Sequence, residues 1–327
     1  VVTAIEPYTT SCRPPVWARG GHAQTILAHL IPVAPVGLGP GASGVERHEV
    51  PLSDGDRLCV FYRAGTSGVL VPIFHGLSGD SDADYVRLAV EAAQRAGHSV
   101  LAVNHRGCGA GRGLARGLYH SGRSDDVGAV LAWARTHLPE ERMLAVGFSL
   151  SGNALLLLLS ETEEAHPDGA IAINPPIDLR HCSERISSGL NCLYDRRFVR
   201  RCMGLVRERV ADGLLEAEYA RLRPRSLWDF DELVTAPLGG FVDAEDYYRR
   251  CSTRDRLKSI EVPTVVITSE DDPFVSAEIL RRAPLSCSTH LHIERHGGHV
   301  GYLTQGASGL GAQRWLEGSL GHYLALL

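Results

Sequence analysis

Apolar residues along this chain fall into two rhythms. Short runs bounded by glycine, serine or asparagine read as buried strands, and longer stretches with apolar residues three and four apart read as helices. Strands are predicted at 45–52, at 58–63 after the Ser53-Asp-Gly-Asp56 turn, at 69–74 between Gly68 and Gly76, and at 99–103, 143–147 and 170–174. Between them lie predicted helices at 83–96, closing at Gly97, at 125–138, closed by Pro139, and at 151–160. The alternation breaks between about 179 and 254, a stretch rich in Arg, Leu, Tyr and Glu that reads as several helices without a strand. It resumes with strands at 264–268 and 290–294 and helices at 277–282 and 312–326.

This order predicts an α/β protein with a mostly parallel central sheet and helices on both faces. The chain, 1–327, reads as one domain, and 180–254 as a helical cap inserted within it. A cap at that place would lie beyond the carboxyl ends of the strands, where open α/β sheets bind ligands. A low-complexity loop spans 35–44, and no repeat is visible.

The 327 residues are 44% apolar and 22% charged, which is the balance of a globular domain and excludes disorder and collagen-like structure. Apolar runs reach only six residues, as at 154–159, too short for an integral membrane segment. The formal net charge is −5 and Lys258 is the sole lysine, so no basic stripe argues for nucleic acid. Eight scattered cysteines without a C-x-x-C fit reduced thiols in a cytoplasmic protein, and the first 15 residues lack the basic start and apolar stretch of a signal peptide.

Candidate chemistry centres on Gly147-Phe148-Ser149-Leu150-Ser151-Gly152, between a predicted strand and a predicted helix. It nearly matches G-x-S-x-G, in which a sharp strand-to-helix turn presents a nucleophilic serine at a helix N-terminus. Ser151 stands where the motif has its second glycine, adding two heavy atoms to a crowded place. Acid and base candidates follow in the order such enzymes use: Asp272 in Asp271-Asp-Pro-Phe274, then His299 in His296-Gly-Gly-His299. Asp271 and the more remote Asp178 are alternatives for the acid, and His296 for the base. In such a set the acid orients the imidazole and the imidazole takes the serine proton. The backbone N–H groups of Leu77, in His75-Gly-Leu-Ser-Gly79, and of Leu150 are the candidate oxyanion donors.

The histidines at 290, 292, 296 and 299 lack metal-site spacing, and 290 and 292 read as one strand face. The glycine-rich stretch 107–113 fits neither dinucleotide nor phosphate-loop patterns and reads as a tight loop. No metal or organic cofactor is expected.

With these residues in place, the sequence resembles the α/β-hydrolase superfamily, and within it the YheT-like carboxylesterase branch. The narrower resemblance rests on Gly21-His-Ala-Gln-Thr25, His75–Gly79 with Tyr85, Asn104-His-Arg-Gly-Cys-Gly109 and Tyr119-His-Ser-Gly122. It continues through 147–153, Phe230-Asp231 with Thr235-Ala-Pro237, Asp246-Tyr-Tyr248, 271–274 and 297–299. The resemblance implies the α/β-hydrolase fold and hydrolysis of carboxylic esters of small molecules, with Ser149 as nucleophile, Asp272 as acid and His299 as base. The departure from the branch is Ser151, where glycine is usual.

The same residues would serve an acyltransferase, a thioesterase, a lipase-type acyl hydrolase or a peptidase, which differ only in acceptor or leaving group. A binding protein on a hydrolase scaffold is the non-catalytic alternative. Within 180–254, Tyr194, Phe198, Met203, Leu205, Trp228, Phe230, Tyr247 and Tyr248 fit either an acyl pocket or ordinary helix packing, and contact with a lipid surface is left open.

Overall fold

A parallel sheet buried on both faces needs strands that are apolar on both sides, and the central strands here meet that need. The structure, a computed structural model, describes residues 5–33, 36–38, 42–161, 165–306 and 311–327. Residues 1–4, at the start of the segment read for a leader, and 35 and 39–41 of the low-complexity loop lie outside the described residues. In chain order the elements run α1 (Gly21–Leu30), β1 (Glu46–Pro51), β2 (Arg57–Arg63), β3 (Val69–Phe74), α2 (Asp84–Arg95), β4 (Ser99–Asn104), α3 (Ser124–His137), β5 (Arg142–Phe148), α4 (Leu150–Glu161) and β6 (Gly169–Ile173). The helices α5 (Leu179–Ser187), α6 (Cys192–Ala211), α7 (Leu227–Phe230), α8 (Ala236–Gly239) and α9 (Ala244–Cys251) come next. The chain closes with β7 (Thr264–Ser269), α10 (Ala277–Arg282), β8 (Thr289–Glu294), β9 (Leu303–Gln305), β10 (Ala312–Arg314) and α11 (Trp315–Leu326).

Eight strands form one sheet in the order β1-β2-β4-β3-β5-β6-β7-β8. Within this sheet, the β1–β2 and β2–β4 pairings are antiparallel. The remaining neighbours are parallel, as with Ile73 opposite Val146 and Phe148 opposite Ile173. Side chains alternate between faces along each strand. Leu70, Phe74, Leu101, Val103 and Met143 enter one core with α3 and α4, and Val71, Ile73, Val100, Leu144 and Val146 enter the other with α2 and α11. Each large apolar side chain so buried contributes roughly 1.5–3 kcal/mol.

Between β6 and β7 the chain is helical. Val199, Met203, Val206 and Phe230 cluster with Leu118 and pack over Leu77 of the loop after β3. Tyr247, Tyr248 and Leu179 cluster with Leu150 at the start of α4. The stretch 107–113 is a tight loop: a Cβ at Gly109 would come 2.6 Å from Asn104 Oδ1 and 2.7 Å from Asp80 Cβ.

One predicted boundary needs correction. The helix expected at 312–326 starts only at Trp315, because 312–314 pair with β9 as β10. Arg314 explains the difference: its guanidinium donates to Ala28 O at 2.6 Å and Ile31 O at 2.8 Å, stopping the orphan carbonyls at the end of α1. That anchor keeps its own backbone extended.

Candidate active site

Ser149 occupies the single residue between β5 and α4, with φ at +51°. A serine in the left-handed region is strained unless its surroundings hold it there. Here its N–H donates to Ile173 O at 2.7 Å. The turn is closed by Gly147 and Gly152. A Cβ on Gly147 would stand 2.7 Å from Ser151 O, and one on Gly152 would stand 3.1 Å from Gly147 O. A Cβ at Gly152 would thus be tight, whereas the Ser151 side chain leaves the turn towards His75 O.

His299 Nε2 lies 2.9 Å from Ser149 Oγ, and His299 Nδ1 lies 2.8 Å from Asp272 Oδ2. Asp272 is held from several sides. Its Oδ1 accepts from the N–H groups of Phe274 (2.8 Å) and Val275 (3.0 Å), and its Oδ2 also accepts from Asn174 Nδ2 at 2.7 Å. Arg185, on α5, donates to Asp272 O at 2.9 Å. The structure thus brings Ser149, His299 and Asp272 into one hydrogen-bonded line.

The alternatives go elsewhere. Asp271 Oδ1 accepts from Gly297 N and Gly298 N at 2.9 and 2.8 Å, and its Oδ2 lies 3.4 Å from His296 Nδ1. That pair shapes the loop carrying His299. Asp178 caps α5 through His181 N and lies 3.2 Å from Arg254. On the strand face at β8, His292 meets Tyr323 OH at 2.6 Å and Glu294 at 2.9 Å.

Two backbone segments converge beside Ser149. A Cβ on Gly76 would be 3.1 Å from Ser149 Cβ, so the loop after β3 runs against the serine. The N–H groups of Leu77 and Leu150 have no acceptor among the described residues.

Ser151 is fully buried, and its Oγ donates to His75 O, one residue before Gly76. Tyr119 OH and His105 Nε2 each lie 2.7 Å from the same Oγ. The His105 and Tyr119 rings stack at 3.8 Å, and His105 N donates to His75 Nε2 at 3.2 Å. Burial pushes His75 down to about 4 and His105 well below the usual imidazole value, so both rings stay neutral at pH 7.

Sequence reasoning about the catalytic groups left out this network and also the clamp from α1. Gln24 bridges Leu303, donating to its carbonyl at 3.0 Å and accepting from its N–H at 2.6 Å. Thr25 Oγ1 accepts from His299 N at 2.9 Å, and Gly21 packs directly on the Asp271 carbonyl, leaving no space for a Cβ. The available signals were the 21–25 segment itself and Asn174, which sits at the carboxyl end of β6 with φ at +47°.

Above Ser149 lies a cavity of about 520 Å³. Ser149, His299, Leu77 and Leu150 form its floor, and Phe198, Leu205 and Phe230 line part of its roof. Others of the apolar set in 180–254 are packing residues: Met203 belongs to the cluster around Val206, and Tyr194 rests on His22 and Phe274.

A family model described as the alpha/beta hydrolase fold matches residues 69–305. The chain is 33% identical over 257 residues to the Escherichia coli (strain K12) protein named "Putative esterase YheT", covering 77% of this chain and 75% of that one. It is 29% identical over 266 residues to "Medium-chain fatty acid ethyl ester synthase/esterase 2" of Saccharomyces cerevisiae (strain ATCC 204508 / S288c), covering 72% of this chain and 58% of that one. Among solved structures, the esterase Pf2001 of Pyrococcus furiosus superposes with a TM-score of 0.56 at 19% identity, over 86% of this chain and 92% of that chain, a likeness of fold. Among the described residues, no helix is long and apolar enough to cross a membrane.

Proposed function

The chain belongs to the α/β-hydrolase family, in its YheT-like branch, and from that premise we propose that it is a serine carboxylesterase acting on small-molecule acyl esters. The observation that carries this reading is the unbroken line from Ser149 Oγ through His299 to Asp272 at 2.9 and 2.8 Å.

Ser149 Oγ attacks the ester carbonyl carbon while His299 Nε2 takes its proton. Asp272 accepts from Nδ1–H and stabilises the imidazolium. The carbonyl oxygen, now negative, is stabilised by the N–H groups of Leu77 and Leu150. When the tetrahedral intermediate collapses, the alcohol leaves with the proton from His299. Water, deprotonated by the same ring, then releases the acid from the acyl-enzyme. The helical segment 180–254 acts as a cap that supplies the acyl-binding surface. An alcohol in place of water would give ester synthesis, a reading favoured by the paired name of the yeast relative. All eight cysteines are free thiols, which supports a cytoplasmic location.

The test is hydrolysis of p-nitrophenyl esters from acetate to palmitate by wild type and Ser149→Ala. We expect wild-type turnover and a loss of about 10³-fold or more in the variant. A variant keeping more than about a tenth of wild-type turnover means that another residue is the nucleophile.

A further inference from the structure

Exposed large apolar side chains concentrate in two segments of the molecule: Val16, Trp17, Ile26 and Leu30 at and before α1, and Leu190 and Leu193 at the start of α6. On α1, His22, Ile26, His29 and Leu30 share one face at i, i+4, i+7 and i+8, while the rest of the helix is buried at Gln24, Thr25 and Ala28. On α6, Leu193, Arg197, Arg200 and Arg201 share the exposed face at the same spacing, while Val199, Met203 and Val206 are buried. The two faces adjoin. His22 stacks on Tyr194 with ring centroids 5.7 Å apart, and its Nδ1 lies 3.2 Å from Tyr194 OH. Two turns further along α1, His29 lines the cavity together with Arg197 and Arg201 and lies within electrostatic reach of both. Helices α1 and α6 therefore run side by side in the same direction at the cavity mouth. Ile26, Leu30 and Leu193 stand on them 47%, 69% and 64% exposed.

Charge gathers in the same place. The chain carries a net charge of −5, yet Arg196, Arg197, Arg200 and Arg201 form an exposed block on α6. Among the described residues, none of the four has a carboxylate within ion-pair distance. Across the mouth, Asp82 and Asp84 are occupied by Arg87 at 2.6 and 3.7 Å, and Asp80 accepts from Asp82 N at 2.9 Å. Apolar side chains gain by leaving water, whereas these arginines gain from an anion that leaves their heads hydrated. A second copy of this chain would set one arginine block against another. A helical peptide seeks an apolar groove, which two exposed helix crests do not offer. The boundary of an anionic bilayer meets both demands: leucines enter the acyl region while arginine stems lie along it, with their guanidinium groups at the phosphates.

We propose that the α1–α6 face docks reversibly on an anionic lipid bilayer, with the cavity mouth turned towards it. Each arginine near such a surface strengthens binding about fivefold. Charges farther than about 8 Å are screened at physiological salt, so the local block outweighs the acidic remainder of the chain. Among the described residues no helix spans a membrane, so the attachment is peripheral and rests on this face. Docking is separate from the chemistry at Ser149, and esters dissolved in water reach the cavity without it.

The experiment sediments the full chain with vesicles of phosphatidylcholine alone and with about a third phosphatidylglycerol. Wild type is expected to bind the anionic vesicles at least about tenfold more tightly than the neutral ones, and to lose that margin in about 0.5 M salt. Two double variants test the face: Arg196→Glu with Arg200→Glu, both outside the cavity lining, and Leu30→Ser with Leu193→Ser. Each should weaken binding to anionic vesicles by about tenfold or more. Each should stay within about threefold of wild type on p-nitrophenyl acetate, which is dissolved in water. Wild type without a preference for anionic vesicles overturns the proposal, as do variants that bind like wild type. Self-association through this face without vesicle binding would assign it to a second copy and equally overturn it. Should the variants fail to fold, hydrogen exchange of wild type is compared with and without anionic vesicles. Added protection centred on 22–30 and 190–201 supports docking, and protection elsewhere, or none, overturns it. Vesicle binding by a chain inactive on all p-nitrophenyl esters defeats the esterase reading and leaves the docking face standing.

Discussion

The floor and the roof of the cavity are built on opposite plans. On the floor, the groups around Ser149 are fixed by several partners each: Asp272 accepts from two backbone N–H groups, Asn174 and His299, and Ser151 Oγ meets His75, Tyr119 and His105. Backbone strain gathers there too, with Ser78, Ser149, Asn174, Val300 and Tyr302 all at positive φ. Within α5 to α9 and their connections, only glycines take that conformation: Gly189, Gly213 and Gly240. The roof instead offers apolar surface at Phe198, Leu205 and Phe230, with Asp231 beside it held by Thr235 and Tyr248. The contrast separates two tasks. A reacting centre needs one geometry held tightly, whereas a selecting surface needs polar and apolar groups waiting for a ligand.

That division predicts that floor substitutions lower turnover on every ester, whereas roof substitutions change ratios between esters. The largest effect is expected for Asp272→Asn, about 10³-fold or more in kcat, because the amide disturbs the hydrogen bond that orients His299. Asp271→Asn, which perturbs only the loop, should fall by about tenfold at most. Near-equal losses in a p-nitrophenyl butyrate assay would mean that the two aspartates share the role. Next comes Ser151→Ala, which leaves His105 Nε2–H without its acceptor. It should lower kcat about tenfold on all esters and reduce stability by about 1–3 kcal/mol in urea unfolding. A change confined to one ester would erase the floor–roof distinction at this residue.

On the roof, Phe198→Ala should move the best acyl chain by two or more carbons, with kcat on acetate within about threefold. A uniform loss across chain lengths would assign Phe198 to packing. The smallest effect concerns acid stability. Burial holds the His120 pKa well below the usual imidazole value. The stability linked to its neutral form is therefore complete above about pH 6.5 and is lost as pH falls towards the depressed value. Between pH 7 and 5, Tm should fall less in His120→Phe than in wild type, and parallel curves would deny it this part.

The floor was the more legible region because its signals are local. Alternating apolar positions marked the central strands, and the elbow, 271–274 and 296–299 each carry their chemistry within a few residues. Ser151 was legible as a departure but not as a hub, since its partners at 75, 105 and 119 meet it only through the parallel pairing of β3 with β4 and β5. Helix α1 escaped the periodicity reading because Gly21-His-Ala-Gln-Thr25 mixes polar and small residues; their use lies in contacts with 271, 299 and 303. The turn at Asp231–Thr235 escaped because a π register leaves no mark in apolar spacing.

The clamp from α1 also sets a timetable. Thr25 grips His299 across 274 positions of chain, and Gln24 grips Leu303 across 279. Synthesis delivers α1 first, so it waits beside the growing sheet until the last strands leave the ribosome, at about 5–20 residues per second. On the proposed mechanism, Ser149 is made well before the His299 that would take its proton. If that mechanism holds, a half-made chain would be chemically silent, and reactivity would begin only when the two distant segments meet.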